Sequence, residues 1–268
     1  MHLNTNQRTV AQSATIQLAS IIGLCDMGDI VKVGWSGGKD STCAVSLHLR
    51  QDDFVKAVCY IPMFTEEIPL ITKRHYEFIH NTAQRFTDLG AEVFFAEGMT
   101  YWDFVTHIKT KGKDKGNIMG FPPPITGMCT FKGYSKMAAC KKADKEIGYY
   151  DYESIGIAYD EYKRHGQLNE KKRSILVEKE FCESDCTRFC FSQNLLSPHY
   201  EYDVRDGCSL CPNASCSRRN LWFSDYPEAM PLLIELQNIV KQRNPKKYPL
   251  RGNQWFIETD NPQLTFWD

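Results

Sequence analysis

The sequence predicts an α/β fold built on a doubly wound parallel sheet. Short β-branched runs alternate with stretches of helical periodicity. A glycine turn, Ser36 to Asp40, joins the first such run to the first helix. A chain of 268 residues, 42% hydrophobic and 24% charged, can bury a sizeable core, and its composition argues against a wholly disordered chain.

The elements follow in chain order. Residues 1–27 read as an N-terminal helical segment in which Val10, Ile16, Leu18, Ile21 and Ile22 form a docking face; Ala14 to Leu24 is too short and interrupted to span a membrane. Met1 to Arg8 is polar and no compact apolar stretch follows a basic one, so no secretory signal is read and a cytoplasmic protein is expected. Ile30 to Trp35 is a buried strand, Ser41 to Leu49 a helix opening on the glycine turn, and Phe54 to Ile61 a second strand-like run. Leu70 to Leu89 carries Ile71, Phe78, Ile79 and Phe86 on a recurring helical face. Ala91 to Ala96 is a third strand, Trp102 to Ile108 a short helix, Tyr152 to Ala158 a further strand, and Leu221 to Gln242 a helical tail.

Two segments break the rhythm. From Val105 to Gly148, nine lysines (109, 111, 113, 115, 132, 136, 141, 142 and 145) stand against Asp114, Asp144 and Glu146. Such a segment is either a solvated loop and helix face or a surface near a phosphate-rich partner, nucleotide or nucleic acid. The whole chain, with 32 Lys+Arg against 33 Asp+Glu, does not coat nucleic acid through bulk charge. The second break holds six of the eleven cysteines, between Cys182 and Cys216. Eleven is odd, and cytosolic thiols stay reduced unless they bind metal or do chemistry, so their spacing is informative.

In Ser36-Gly37-Gly38-Lys39-Asp40-Ser41, the glycines permit close backbone approach, and the helix N-terminus with successive N–H groups makes a nest for phosphate oxygens. Ser36 and Ser41 can donate hydroxyl hydrogen bonds, Lys39 can neutralise charge, and Asp40 suits an anion site once Mg²⁺ bridges it to phosphate. The alternative is a tight turn capped by Ser41.

This hexapeptide after a first strand resembles the PP-loop of the ATP pyrophosphatases, not a Walker A loop. Met128-Cys129-Thr130-Phe131-Lys132, the run Gly156 to Arg164, and Leu195 to Tyr200 followed by Arg205-Asp-Gly-Cys208-Ser-Leu-Cys211-Pro-Asn-Ala214 are similar to elements of the phosphoadenosine phosphosulfate (PAPS) reductase-like family of bacterial and phage genomes. The resemblance runs from about residue 28 to 242. It implies an adenine nucleotide α-hydrolase-like fold, with a nucleotide-binding domain at 28–180, a helical cysteine-rich subdomain at 181–250 and a tail at 251–268. The activity it implies is adenylation by ATP with pyrophosphate release, coupled to sulfur transfer. The last cysteine is Cys216, so the tail lacks a reductase's terminal cysteine motif, and the intact SGGKDS loop suits ATP splitting. Both departures favour an ATP-using relative, like the DndC-like sulfur-transfer proteins of DNA phosphorothioation or the tRNA thiolation enzymes. The alternatives are a PAPS or adenylylsulfate reductase with an external thiol donor, and a non-catalytic nucleotide-binding accessory protein of a phage, defence or mobile-element system. Possible partners are a nucleic-acid acceptor at the lysine-rich segment and a sulfur-donor protein.

The resemblance also implies a metal centre at Cys129, Cys208 and Cys211, with Cys190 as fourth ligand and Cys186 or Cys216 as alternatives. Four thiolates suit a [4Fe–4S] cluster or Zn²⁺. Cys182, Cys186 and Cys190 follow an i, i+4, i+8 pattern; the outer two lie about 12 Å apart on a helix, so at most one or two of the three reach one small centre. Cys25, Cys43, Cys59 and Cys140 read as buried hydrophobes. Asp160, Glu161 and Arg164, at a strand's C-terminal end, are candidate substrate or nucleotide contacts, the two acids with catalytic roles beside Lys39 and Asp40. Lys132 and Arg173 are candidate phosphate binders. Glu66 and Glu67 read as a solvated turn or a Mg²⁺ or ribose contact, and His199 as a loop residue rather than a base. Gln263 to Trp267 resembles a sliding-clamp-binding peptide with Phe266 in place of leucine; the alternative is a disordered or self-docking tail.

Overall fold

A computed structural model describes residues 28–59, 68–122, 129–203, 207–211 and 213–244 of the protein. The N-terminal segment with Cys25, Glu66 and Glu67, Arg205, and the tail at 263–267 lie outside the described residues.

Five parallel strands form one sheet in the order β3-β2-β1-β4-β5: β1 Ile30–Trp35, β2 Phe54–Cys59, β3 Glu92–Phe95, β4 Tyr152–Ile155 and β5 Lys172–Arg173. Helices cover both faces. The chain builds outward from β1 through β2 to β3, then returns to place β4 on the other side of β1. The crevice between the C-terminal ends of β1 and β4 is therefore the switch point, where open α/β sheets bind ligands.

The helix α1 (Lys39–Leu49) starts directly after the glycine turn and packs on β1 and β2. The helix α2 (Lys73–Asp88) is capped by the Thr72 side chain, which accepts from the His75 N–H, and buries Ile79, Ala83 and Phe86. Trp35 ends β1 fully buried, edge-on to Phe86 and donating to Thr42 Oγ1 at 2.9 Å. A short helix, α3 (Tyr101–Thr106), precedes an antiparallel hairpin bridged at Ile108 and Ile118.

The lysine-rich segment is more regular than its composition predicts. After the hairpin, α4 (Thr130–Lys132), a π-turn (Gly133–Met137) and α5 (Ala138–Glu146) run on as one helical rod. Its Ala139, Ala143 and Ile147 pack on Val58 and Ala96, forming a small second core. Two buried strand lysines fasten the rod's end. Lys32 pairs with Asp144 and Glu153, and Lys56 donates to the carbonyls of Ile147 and Tyr149 at 2.7 and 2.9 Å. Burial pushes the Lys56 pKa down. Gly148, with φ +67, turns the chain out of this helix as a left-handed terminating residue must.

Beyond β4 come α6 (Tyr162–His165), α7 (Ile175–Glu178), α8 (Glu183–Ser192), α9 (Cys216–Asp225) and α10 (Met230–Arg243). The expected single helix from Leu221 to Gln242 is two helices, because Pro227 opens a 3₁₀ turn between them. The strand expected from Tyr152 to Ala158 stops at Ile155, where the Ile157 N–H folds back onto the Ile155 carbonyl. One buried cluster contains Val31, Val33 and Val45 together with Cys190, Trp222, Leu233 and Val240, so residues on both sides of the expected boundary at 180 share it. Among the described residues, no helix is long and apolar enough to cross a membrane.

Candidate functional site

The glycine turn lies at the switch point. Gly37 has φ +76, and a Cβ there would stand 2.9 Å from Ile79 Cγ1, so both conformation and space exclude a side chain. Ser41 ties the loop together: its hydroxyl donates to the Gly38 carbonyl and accepts from the Ser36 N–H, each at 3.1 Å. The N-cap of α1 is Gly38, with no side-chain cap, rather than Ser41. An uncapped helix N-terminus leaves N–H donors for a ligand. One of them, the Lys39 N–H, donates to the Tyr200 hydroxyl at 3.0 Å. Gly156, after β4, presses on the loop: a Cβ there would lie 2.7 Å from the Ser41 nitrogen.

Charge at the loop is concentrated on three side chains. Lys39 Nζ lies 2.8 Å from Asp40 Oδ1 and 3.3 Å from Glu183 Oε2. Burial opposes the Lys39 charge, but the two carboxylates outweigh it and hold its pKa above the ordinary value. Burial also raises the Asp40 carboxyl; Lys39 pulls against that, and repulsion from Glu183 and Glu161 adds to it. Asp40 and Glu183 flank the Lys39 ammonium, and Glu161, held by Arg164, acts on Asp40 from beyond them; a cation would be electrostatically welcome beside these carboxylates.

The other predicted nucleotide contacts divide. Asp160 accepts the Glu183 N–H at 3.0 Å, so it positions α8. Glu161 accepts the Ala158 N–H at 3.1 Å and pairs with Arg164 at 2.7 Å, so Arg164 holds Glu161. Arg173 is not brought to the loop. It lies on edge strand β5 with its guanidinium 4.5 Å above the Tyr152 ring, which opens β4 at the end away from the loop. Lys132 is exposed on α4, next to the thiols described below. His199 is buried with His75 around the Ser197 hydroxyl, at 2.8 and 2.6 Å respectively.

The cysteines form two groups. Cys129, at the N-cap of α4, acts electrostatically on Cys208 and Cys211. The Cys211 N–H donates to the Cys208 carbonyl at 3.0 Å, and the Cys211 sulfur accepts from the Asn213 N–H at 3.4 Å. Burial, then repulsion from the other two thiols, pushes Cys208 up to about 12, against the pull of Arg218 and Lys136. Tyr101 completes this group. It is 2% exposed, its hydroxyl has no hydrogen-bond partner among the described residues, and its pKa is raised well above normal by burial and by the same three cysteines. As placed, no three His, Cys, Asp or Glu side chains among the described residues converge closely enough to hold a metal ion.

Cys190, expected as the fourth ligand of that centre, is placed in the other group. It is buried on the inner face of α8, donates to the Lys39 carbonyl at 3.3 Å, and lies with Cys186 and Cys43 behind the glycine loop. Burial pushes it up to about 12, a thiol packed as a small hydrophobe. Cys186 goes with it, and Cys182 sits at the N-cap of α8. Cys216 is exposed at the start of α9, its sulfur 3.6 Å from Arg219 Nη2. Cys43 and Cys59 are buried as expected, and Cys140 is half-buried.

Sequence reasoning missed Glu183 and Tyr101 and gave Tyr200 no role. No local pattern marks them, because each reaches the site from an element remote in sequence. The chain matches no family model and no curated protein.

Proposed function

We propose that the protein is a PP-loop enzyme, similar to the PAPS reductase-like family, that binds ATP and adenylates an acceptor with release of pyrophosphate, in support of sulfur transfer. The observation that carries this reading is the SGGKDS loop at a sheet switch point, opening a helix whose N-cap residue is Gly38, with no side chain of its own to cap it.

In this reading the acceptor oxygen attacks the α-phosphorus, the bond to the bridging oxygen breaks, and pyrophosphate departs into the loop. Loop N–H groups and the Lys39 ammonium stabilise the charge that develops there. Lys39 must first turn from Asp40 and Glu183 toward phosphate, and the Tyr200 hydroxyl must yield the Lys39 N–H. Asp40, with Glu183 close by, would hold Mg²⁺; that cation would offset the burial, and the smaller repulsion from Glu183 and Glu161, that raise the Asp40 pKa. A sulfur nucleophile then displaces AMP from the activated acceptor. Cys129, Cys208 and Cys211 would hold a [4Fe–4S] cluster or Zn²⁺, with a fourth ligand other than Cys190. Three sulfur donors from two remote segments, beside the buried Tyr101 hydroxyl, are the set such a group would take once they close on it. An iron–sulfur group supplies a site for binding sulfide or transferring electrons, and zinc supplies a structural clamp.

A second reading, nucleotide binding without turnover, draws on the Tyr200 hydroxyl already occupying a loop donor. ATP–pyrophosphate exchange with candidate acceptors separates the two. Exchange in the wild type that is lost in Asp40→Ala is the expected result. ATP binding with no exchange for any acceptor would favour the second reading.

A further inference from the structure

The hairpin between α3 and α4 carries a surface whose chemistry identifies a partner. Its arms are joined by Lys109 N–H to Asn117 carbonyl (2.9 Å), Gly116 N–H to Lys109 carbonyl (2.9 Å) and Met119 N–H to His107 carbonyl (2.8 Å). Gly112 and Gly116, with φ +83 and +88, make the turn. The base is anchored: Ile118 is fully buried, and its carbonyl accepts from Asn244 Nδ2 at 2.7 Å. The tip presents Lys111, Lys113 and Lys115 to solvent. The acid among them, Asp114, is 2.9 Å from Lys109.

The π-turn stands beside this hairpin and supplies an aromatic ring. Tyr134 packs one side against Phe104 and His107, with centroids 5.7 and 5.8 Å away, and remains 42% exposed. A π-turn inside a helix often marks a functional position, and here it carries both Tyr134 and Lys136. Lys136 acts electrostatically on Cys208, so the surface borders the three-thiol group. The two acids of α5 do not offset it: Asp144 is drawn to buried Lys32, and Glu146 lies at the far end of the rod.

We propose that the hairpin tip and the π-turn form a docking surface for single-stranded nucleic acid, with the lysines on backbone phosphates and Tyr134 stacked against an unpaired base. Charge alone would suit any polyanion. The exposed ring, packed on His107 at the base of the lysine-bearing hairpin, selects a single strand, because a base within a duplex keeps its faces against its neighbours. The inference deepens the proposed function by naming the acceptor class, and in that sense rests on it, but binding is measurable without ATP.

The test is fluorescence anisotropy of the full chain with labelled single-stranded DNA, single-stranded RNA and duplex DNA of equal length over a range of salt. The expected result is tighter binding of a single strand than of duplex, weakening steeply with salt. The Lys111→Gln/Lys113→Gln/Lys115→Gln variant should flatten the log–log salt slope by about 2, at roughly 0.7 for each phosphate that a lysine no longer neutralises. Tyr134→Ala should weaken single-strand binding about fivefold or more and leave duplex binding and the salt slope unchanged. Comparison of the DNA and RNA arms assigns the natural strand. Duplex bound as tightly as a single strand, polyglutamate competing as well as an oligonucleotide, or variants that bind like wild type would each overturn the inference. Failure of pyrophosphate exchange with these binding results intact would overturn the enzymatic reading alone.

Discussion

Replacing Gly156 by alanine tests whether the crevice between β1 and β4 is built around the glycine loop. The new Cβ would stand 2.7 Å from the Ser41 nitrogen, 2.9 Å from Ser41 Cα and 3.0 Å from the Asp40 carbonyl carbon, where ordinary contact begins at 3.4 Å. The obstructing atoms are backbone on both sides, so no side chain can swing away. The loop or the end of β4 must retreat by about 0.7 Å, an overpacking strain of about 1–3 kcal/mol. At about 2–4 °C per kcal/mol for a chain of this size, the melting temperature should fall by roughly 2–12 °C. The displacement also pulls Ser41 from its bonds to Ser36 and Gly38, so ATP affinity should fall about tenfold or more. Thermal denaturation and calorimetric titration with ATP read the two effects. Gly166→Ala is the control, since nothing lies within 4 Å of a Cβ there. The reasoning is refuted if Gly156→Ala melts and binds ATP as the control does.

Further predictions concern the buried polar groups. Tyr101→Phe removes an unpartnered buried hydroxyl and should stabilise metal-free protein by about 1–3 kcal/mol. Melting after chelation checks this, and the gain should shrink or reverse in metal-loaded protein. Cys208→Ser should abolish stoichiometric iron or zinc in anaerobically purified protein, whereas Cys190→Ala should retain it; elemental analysis and the visible spectrum decide between the thiol groups. For His75, burial, aided by His199 and Arg218, lowers the pKa from 6.5 to about 3. Between those values the unfolded chain binds a proton that the native ring refuses. Stability is therefore full above pH 6.5 and declines as pH falls toward 3, by up to about 1.4 kcal/mol per pH unit. Urea midpoints against pH should show this loss in wild type and a flatter profile in a folded His75→Gln variant.

Much of the architecture is legible along the chain. Ile30 to Trp35 is a strand and the next helix opens on the glycine turn, because β-branched runs and glycine turns act over a few residues. The i, i+4, i+8 spacing keeps Cys182, Cys186 and Cys190 from being three ligands of one centre, because helix rise is local geometry. Composition makes the lysine-rich segment look partly irregular, because it hides the small buried face of Ala139 and Ala143. Edge strand β5, two residues long, is too short to leave a periodic signal.

By itself the sequence determined the alternation of strands and helices, the phosphate-suited loop and the identity of its charged groups, all set by neighbours in the chain. Only the tertiary structure decided which of those groups meet. Packing carries Glu183 and Tyr200 to Lys39, Cys190 to the Lys39 carbonyl, and Cys129 to thiols some eighty residues away. It also sends Arg173 to the sheet edge and buries Lys32 and Lys56 against carboxylates and carbonyls. These convergences depend on how helices settle on the two faces of the sheet, a balance of burial and charge pairing over the whole core that no local period encodes.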